Sequence, residues 1–218
     1  MGDNPEEPRF HKNLAIIPAK GNSKGVPRKN ALLLPHTIEI AQRAYCVDHI
    51  LVSTNDEEIV DIAHRRGVGI VWRPPELCTD GASSESALLH VLENIDYEPE
   101  YITFLQCTSP LTEPEDIDSC FTELLGKNGD MAFTVTPVKF NLWDANGAVN
   151  HDPSHRKMRQ DSEPQFLETG AVYIMKAKGF LEAKNRFFGK MVYSMMPRQR
   201  YLEIDELEDL NDPRLHYR

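Results

Sequence analysis

Along most of the chain, short apolar runs alternate with stretches whose apolar residues recur at helical spacing. Leu14-Ala15-Ile16-Ile17 predicts a buried strand, and 37–44 follows with Ile38, Ile40, Ala41 and Ala44 on one helical face. Residues 49–53 (HILVS) predict a second strand. Thr54-Asn55-Asp56 then supplies an N-cap and an early acid for a helix to about Arg66, Gly67 closes it, and 68–72 predicts a third strand. The pattern repeats with a helix over 84–94, carrying Ala87, Leu88, Val91 and Leu92 on one side, a strand at 101–106, a helix over 115–125 and a strand at 130–138.

Strands alternating with helices at this spacing define an α/β chain with a mostly parallel sheet and right-handed crossovers, whose ligands bind outside the carboxyl ends of the strands. The alternation stops after Val138. Residues 139–165 are polar, rich in His, Asp and Arg, and contain Asn146-Gly147, a hairpin-turn signal, so they predict an insertion. The chain re-enters the core with the apolar stretch 166–175. Residues 1–12 predict a disordered lead, which leaves 13–218 as a single domain with 139–165 inserted in it.

The first loop carries the densest chemistry. Pro18 ends the first strand, and the following segment holds Gly21 and Gly25 with Lys20, Lys24, Arg28 and Lys29. Glycines allow close backbone approach and an inward-facing nest of N–H groups, and the cations neutralise an extended polyanion, so the loop is suited to phosphate. It is not a Walker A loop, because Lys24 precedes the second glycine, and it lacks G-x-G-x-x-G. Composition sharpens this picture. The 218 residues carry a formal charge of -10, which argues against nucleic acid or an anionic membrane as partner and confines the positive charge to a local site. Cys46, Cys78, Cys107 and Cys120 lack metal-ligand spacing and read as free thiols. No signal peptide opens the chain, and no apolar run approaches the roughly 20 residues that span a bilayer, which predicts a cytoplasmic protein.

The strand followed by A-K-G-N-S-K-G-V-P-R-K-N resembles the opening loop of the acylneuraminate cytidylyltransferases, which make CMP-sialic acid and related CMP-nonulosonates from CTP. The resemblance runs from Leu14 to Leu210 and implies a Rossmann-like nucleotidyltransferase. It assigns Lys20 and Lys29 to the CTP phosphates, Asn22, Ser23, Lys24 and Gly25 to the phosphate cradle, and Asn30 to cytosine. An amide carries both a donor and an acceptor and can distinguish cytosine from uracil. Arg73 in R-P-P-E-L and Ser84 match nucleotide-contacting residues. On residue chemistry alone, the first could be a surface ion pair and the second an N-cap. Leu105-Gln106-Cys107-Thr108-Ser109-Pro110-Leu111 is similar to the family's L-Q-P-T-S-P-L, which places Gln106 at the nucleotide and the sugar.

Further along, Thr169-Gly170-Ala171-Val172-Tyr173 resembles the N-G-a-x-Y strand and implies Thr169 and Tyr173 at the sugar. Phe187 and Phe188 resemble the aromatic pair beside its acyl group, although adjacent Phe residues are also core residues. Arg159, in Arg159-Gln160-Asp161 of the insertion, matches an arginine acting at the partner subunit's site, which implies a homodimer with shared active sites. Glu203-Ile204-Asp205 with Asp209-Leu210 resembles D-I-D-x-x-x-D-L, whose first two acids hold Mg²⁺. Carboxylates two apart on an extended segment face one side and suit one hard cation, while an acidic run is otherwise a solvated helix start.

The implied reaction is attack by the anomeric hydroxyl of a nonulosonic (sialic-type) acid on the α-phosphorus of CTP, with Lys20, Lys29, Arg159 and Asp205 as catalytic residues and Mg²⁺ as cofactor. CTP and the keto acid are then the partners. Two alternatives share the features: a 3-deoxy-manno-octulosonate cytidylyltransferase, and a CTP-binding regulatory protein that has lost turnover.

Overall fold

The computed structural model describes residues 13–22, 25–155, 158 and 163–217. The expected lead at 1–12, and Ser23, Lys24 and Arg159 among the expected site residues, lie outside the described residues. The elements in chain order are β1 (Asn13–Pro18), α1 (Lys29–Arg43), β2 (His49–Thr54), α2 (Glu57–Arg65), β3 (Gly69–Trp72), α3 (Ser84–Glu93), β4 (Tyr101–Leu105), α4 (Pro114–Gly126), β5 (Met131–Val138), β6 (Trp143–Asp144), β7 (Gly147–Ala148), β8 (Gln165–Lys176), α5 (Ala177–Ala183) and β9 (Met191–Met195).

Seven strands form one sheet in the order β3-β2-β1-β4-β8-β5-β9, and the two-residue strands β6 and β7 pair separately. Every pairing in the large sheet is parallel except those of β8, which runs antiparallel between β4 and β5. Strands buried on both faces need apolar side chains in both directions, which is why β1 reads as a continuous apolar run. Leu14 and Ile16 pack with Leu88 and Val91 of α3 and Phe180 of α5. Ala15 and Ile17 face the other way, onto Leu34 and Ile38 of α1, Ile59 of α2 and Ile117 of α4. The sheet is therefore the middle of three layers.

Local chemistry explains the element boundaries. Asp56 accepts a hydrogen bond from the Ile59 amide at 3.1 Å and caps α2, and Ser83 does the same for α3 through the Ser86 amide at 3.1 Å. The long helix α1 departs most from expectation, since it starts eight residues before the predicted 37 and contains Pro35. Pro35 has no N–H to give to the Ala31 carbonyl, but burial of Ala31, Leu34, Ile38 and Ala41 on one face outweighs that loss. Lys29 and Asn30 consequently lie in the first turn of a helix. The hairpin expected at 146–147 is present one residue earlier: Ala145 and Asn146 form its two-residue loop, and Asp144 Oδ1 accepts from the Asn146 and Gly147 amides at 2.7 and 3.0 Å.

The order β2-β1-β4 makes the chain wind outward in both directions from β1, and the crevice between the carboxyl ends of β1 and β4 is the switch point where such sheets bind ligands.

Candidate active site

Three segments meet at that crevice: the loop after β1, the loop after β4, and the C-terminal stretch 201–206. The first loop turns at Gly21, whose amide donates to Asn55 Oδ1 at 3.0 Å, and a Cβ at Gly21 would collide with the Asp56 carboxylate at 2.4 Å. It closes where Asn30 Nδ2 donates to the Lys20 carbonyl at 2.8 Å. Arg28, in the left-handed region at φ 58°, turns the chain into α1, which has no side-chain cap and no acid in its first turn. The positive end of that helix therefore has no acid of its own to compensate it. Arg28 in turn forms an ion pair with Glu58 of α2.

A cavity of about 630 Å³ lies between this loop, through Gly21, Asn22, Pro27 and Arg28, and the loop after β3, through Cys78, Thr79 and Asp80. Its size is that of a typical small-ligand pocket. Lys20 Nζ reaches 3.8 Å from Asp80 Oδ1 beside it. Arg73, at the end of β3, is almost wholly buried; its Nε donates to Ser53 Oγ at 3.0 Å and its Nη2 to the Ser53 carbonyl at 2.7 Å. Both of these partners are neutral oxygens, and burial pulls its guanidinium pKa below the ordinary value. A cation held this way by neutral partners favours the approach of an anion. Ser84, half-buried, is the first residue of α3, and the capping oxygen is that of Ser83.

The C-terminal stretch is fixed from several sides. Ile204 is fully buried and its amide donates to the Thr108 carbonyl at 2.8 Å. Gly25 packs on the Asp205 carbonyl so closely that a Cβ would lie 1.9 Å from that oxygen. Lys29 Nζ donates to the Ile204 carbonyl at 2.6 Å and to Asp205 Oδ1 at 3.2 Å. One carboxylate oxygen of Asp209 accepts the amides of both Asp205 and Glu206 at 2.8 Å. Upstream, Arg200 pairs with the buried Asp116 of α4 at 2.6 Å.

Glu203 meets the β4 and β8 side of the crevice. β8 bulges opposite Thr134, where the register shifts between Phe133 and Val135, and Gly170 adopts φ +70° there. Gln106 Nε2 donates to the Gly170 carbonyl at 2.6 Å, and Glu203 Oε1 lies next to the same glycine. Burial, and then the charge of Asp205, hold the Glu203 carboxyl above the usual carboxylate range, with Lys29 acting in the opposite direction. Among the described residues no set of three or more His, Cys, Asp and Glu gathers into a self-sufficient metal site. Two carboxylates two residues apart, close enough for the charge of Asp205 to act on Glu203, nonetheless fit a hard divalent cation that takes its remaining oxygens from phosphate and water.

Direct contacts link Lys20 to Asn30, Lys29 and Gly25 to Asp205, and Gln106 and Glu203 to Gly170, while Asn22 lines the cavity and Arg73 is tied to Ser53. Two residues expected at the sugar point elsewhere in this structure. Thr169 is buried, its hydroxyl 2.6 Å from that of Thr134, because the bulge directs it between β5 and β8. Phe188 packs over Gly179 of α5, where its ring leaves no room for a Cβ. Phe187 remains exposed, edge-on to Phe133 and Tyr173. Tyr173 is buried, stacked on Phe104 at 5.4 Å, and only its hydroxyl reaches the surface side, where it donates to Glu168. Burial, reinforced by that carboxylate, pushes the phenol pKa up. Sequence reasoning passed over Asp80, Glu168 and Glu85. The last of these pairs with Arg186 at 2.5 Å behind the Tyr173 ring, and a lone acid at a helix start gives no sign of such a role.

An open α/β sheet with a glycine- and lysine-bearing loop at its switch point is a Rossmann-like architecture suited to a nucleotide. The chain belongs to the cytidylyltransferase family, whose sequence model matches residues 14–215. A pseudaminic acid cytidylyltransferase of Campylobacter jejuni is 29% identical over 224 residues, covering 95% of this chain and 97% of the relative. An N-acylneuraminate cytidylyltransferase of Streptococcus agalactiae is 32% identical over 220 residues, which is 91% of this chain and 51% of that relative, so the chain spans about half its length. Among solved structures, a CMP:2-keto-3-deoxy-manno-octonic acid synthetase complexed with CTP aligns with a TM-score of 0.73 at 13% identity, over 94% of this chain and 98% of the other. That likeness concerns the fold.

Proposed function

We propose that this protein activates a nonulosonic (sialic-type) acid with CTP, giving the CMP-sugar and pyrophosphate. The observation that carries the proposal is the convergence of the Lys20–Asn30 loop, Gln106 and the Glu203–Asp205 pair on one crevice. Relatives named for pseudaminic and N-acylneuraminic acids share most of the chain with it, and the exact keto acid is taken from that class.

In this reading Lys20, Asn22, Gly25, the α1 N-terminus and Arg73 bind the triphosphate, with Ser23 and Lys24 assigned to the same cradle, Ser84 near the ribose and Asn30 at the cytosine. Gln106 lies between nucleotide and sugar, and Phe187 with the Tyr173–Glu168 pair forms the far wall of the sugar site. The anomeric hydroxyl oxygen bonds to the α-phosphorus as the bond from that phosphorus to the bridging oxygen of pyrophosphate breaks, and Asp205 accepts the hydroxyl proton. Both reactants are anionic, so local positive charge supplies much of the rate. Glu203 and Asp205 would hold a divalent cation, with Mg²⁺ the ion proposed, which when bound neutralises phosphate oxygens and polarises the α-phosphate. The inserted 139–165 segment would carry Arg159 to the partner's site in a homodimer.

Pyrophosphate release from CTP across a panel of nonulosonic acids and 3-deoxy-manno-octulosonate tests the reading. Turnover with a nonulosonate supports it. Turnover with the octulosonate alone would reassign the substrate, and tight CTP binding without turnover on any acid would favour the regulatory alternative.

A further inference from the structure

The ammonium of Lys29 sits on the carboxylate that the proposed reaction needs for its cation. Lys29 is the first residue of α1, its side chain is only 12% exposed, and its Nζ bridges the Ile204 carbonyl at 2.6 Å and Asp205 Oδ1 at 3.2 Å. The backbone that carries this carboxylate is held on several sides. The Asp205 amide is held by Asp209, its carbonyl abuts Gly25, and the neighbouring Ile204 is buried and tied to Thr108. A divalent ion taking the same oxygen while the ammonium remains there would come close to a positive charge, and two cations that close together repel strongly.

We propose that Lys29 is an internal placeholder cation on Asp205, released to the incoming triphosphate, so that the divalent ion and the nucleotide bind as a coupled pair. This rests on the functional reading above. Lysine suits the exchange because its ammonium is a compact charge on a flexible stem and can move between carboxylate and phosphate without moving its helix. Before nucleotide arrives, Lys29 neutralises Asp205 and keeps the segment in place. Once the triphosphate draws the ammonium off, Asp205 regains its full charge for the divalent ion. By linkage, each ligand then raises the affinity of the other by the same factor.

The test uses the full chain and Mn²⁺ as a probe, followed by electron paramagnetic resonance. Without nucleotide, Lys29→Met should bind Mn²⁺ about tenfold more tightly than wild type, within the usual span of coupling between sites. The gain should disappear in Lys29→Met/Asp205→Asn. Lys29→Gln, neutral but polar, is run in parallel in case the methionine variant unfolds. In calorimetry, Mn²⁺ should tighten CTP binding to wild type and do so far less in either Lys29 variant. Equal Mn²⁺ affinity in wild type and the folded Lys29 variants would overturn the inference, as would a gain that survives loss of the Asp205 charge. Wild-type protein that binds no CTP would instead overturn the functional reading itself.

Discussion

Asn30 Nδ2 donates to the main-chain carbonyl of Lys20 at 2.8 Å, so the residue assigned to cytosine also closes the loop assigned to phosphate. With the amide nitrogen engaged, Oδ1 is the atom suited to accept from the exocyclic amine of cytosine, where uracil presents a carbonyl. Asn30→Ala should lower kcat/KM for CTP about tenfold, the worth of one hydrogen bond. The low rate with UTP should fall less, by the share that loop closure alone contributes. Equal losses with both nucleotides, measured by pyrophosphate release, would leave Asn30 with loop closure alone.

That double role was only half legible. The A-K-G-N-S-K-G loop and its place after β1 follow from apolar runs and glycines, but Pro27 and Pro35 hide the start of α1, and so hid that Lys29 and Asn30 are helical. Tertiary burial of Leu34 and Ile38 overrides what proline discourages locally. The antiparallel direction of β8 leaves no trace in its buried part, Ala171 to Met175, whose residues are apolar whichever way the strand runs. The bulge that turns Thr169 inward depends on pairing with Thr134, a contact 35 residues away that no local pattern encodes. β9 and α5 were missed because both are short and their apolar residues show no sustained period.

The two carboxylates of the cation site should not be equal. The Asp205 backbone is held by Asp209 and Gly25 and its carboxylate pairs with Lys29, whereas Glu203 is longer by one methylene and can reach an ion through a bound water. Asp205→Asn should abolish turnover. Glu203→Gln should mainly raise the Mg²⁺ concentration needed for half-maximal rate. A Mg²⁺ titration of both variants checks this, and two equally inactive proteins would make Glu203 a direct ligand.

The pair Arg200–Asp116 tethers the segment that carries both acids. Asp116 is buried and Arg200 about one-third exposed, so breaking the pair lies between the surface and buried cases, at about 2 kcal/mol. Arg200→Ala should show that loss in urea unfolding and should also raise the Mg²⁺ requirement. Loss of stability with an unchanged Mg²⁺ requirement would mean that Thr108 and Lys29 hold the segment unaided.

Acid stability should report the Glu85–Arg186 pair. Burial alone would raise the Glu85 carboxyl, but the hydrogen bond and charge of Arg186 outweigh it and hold the carboxyl below its ordinary value. A depressed folded-state pKa means that the unfolded chain binds the proton more readily. The contribution is therefore complete above the ordinary value of 4.5 and is lost as pH falls through the lower folded value. Glu85→Gln should lower Tm at pH 7 and flatten its fall with acidification below that point. Parallel Tm-against-pH curves for the two proteins would show that other carboxylates carry the acid sensitivity.

Arg159 provides the test of shared sites. Each active site of the proposed dimer uses Asp205 of its own subunit and Arg159 of the other, so Arg159→Ala and Asp205→Asn homodimers should both be inactive for different reasons. In a hybrid of the two, one site loses both residues while the other keeps both. Random exchange at equal amounts makes half the dimers hybrids, each with one intact site of two, so activity should recover to about one quarter of wild type. The exposed Leu142, Trp143 and Val149 around the inserted hairpin are apolar positions that a partner subunit would cover. Exchange demonstrated by mixing differently tagged subunits, with no recovery of pyrophosphate release, would place Arg159 in its own subunit's site or outside the reaction. Recovery well above one quarter would show that one of the two substitutions is not inactivating in the first place.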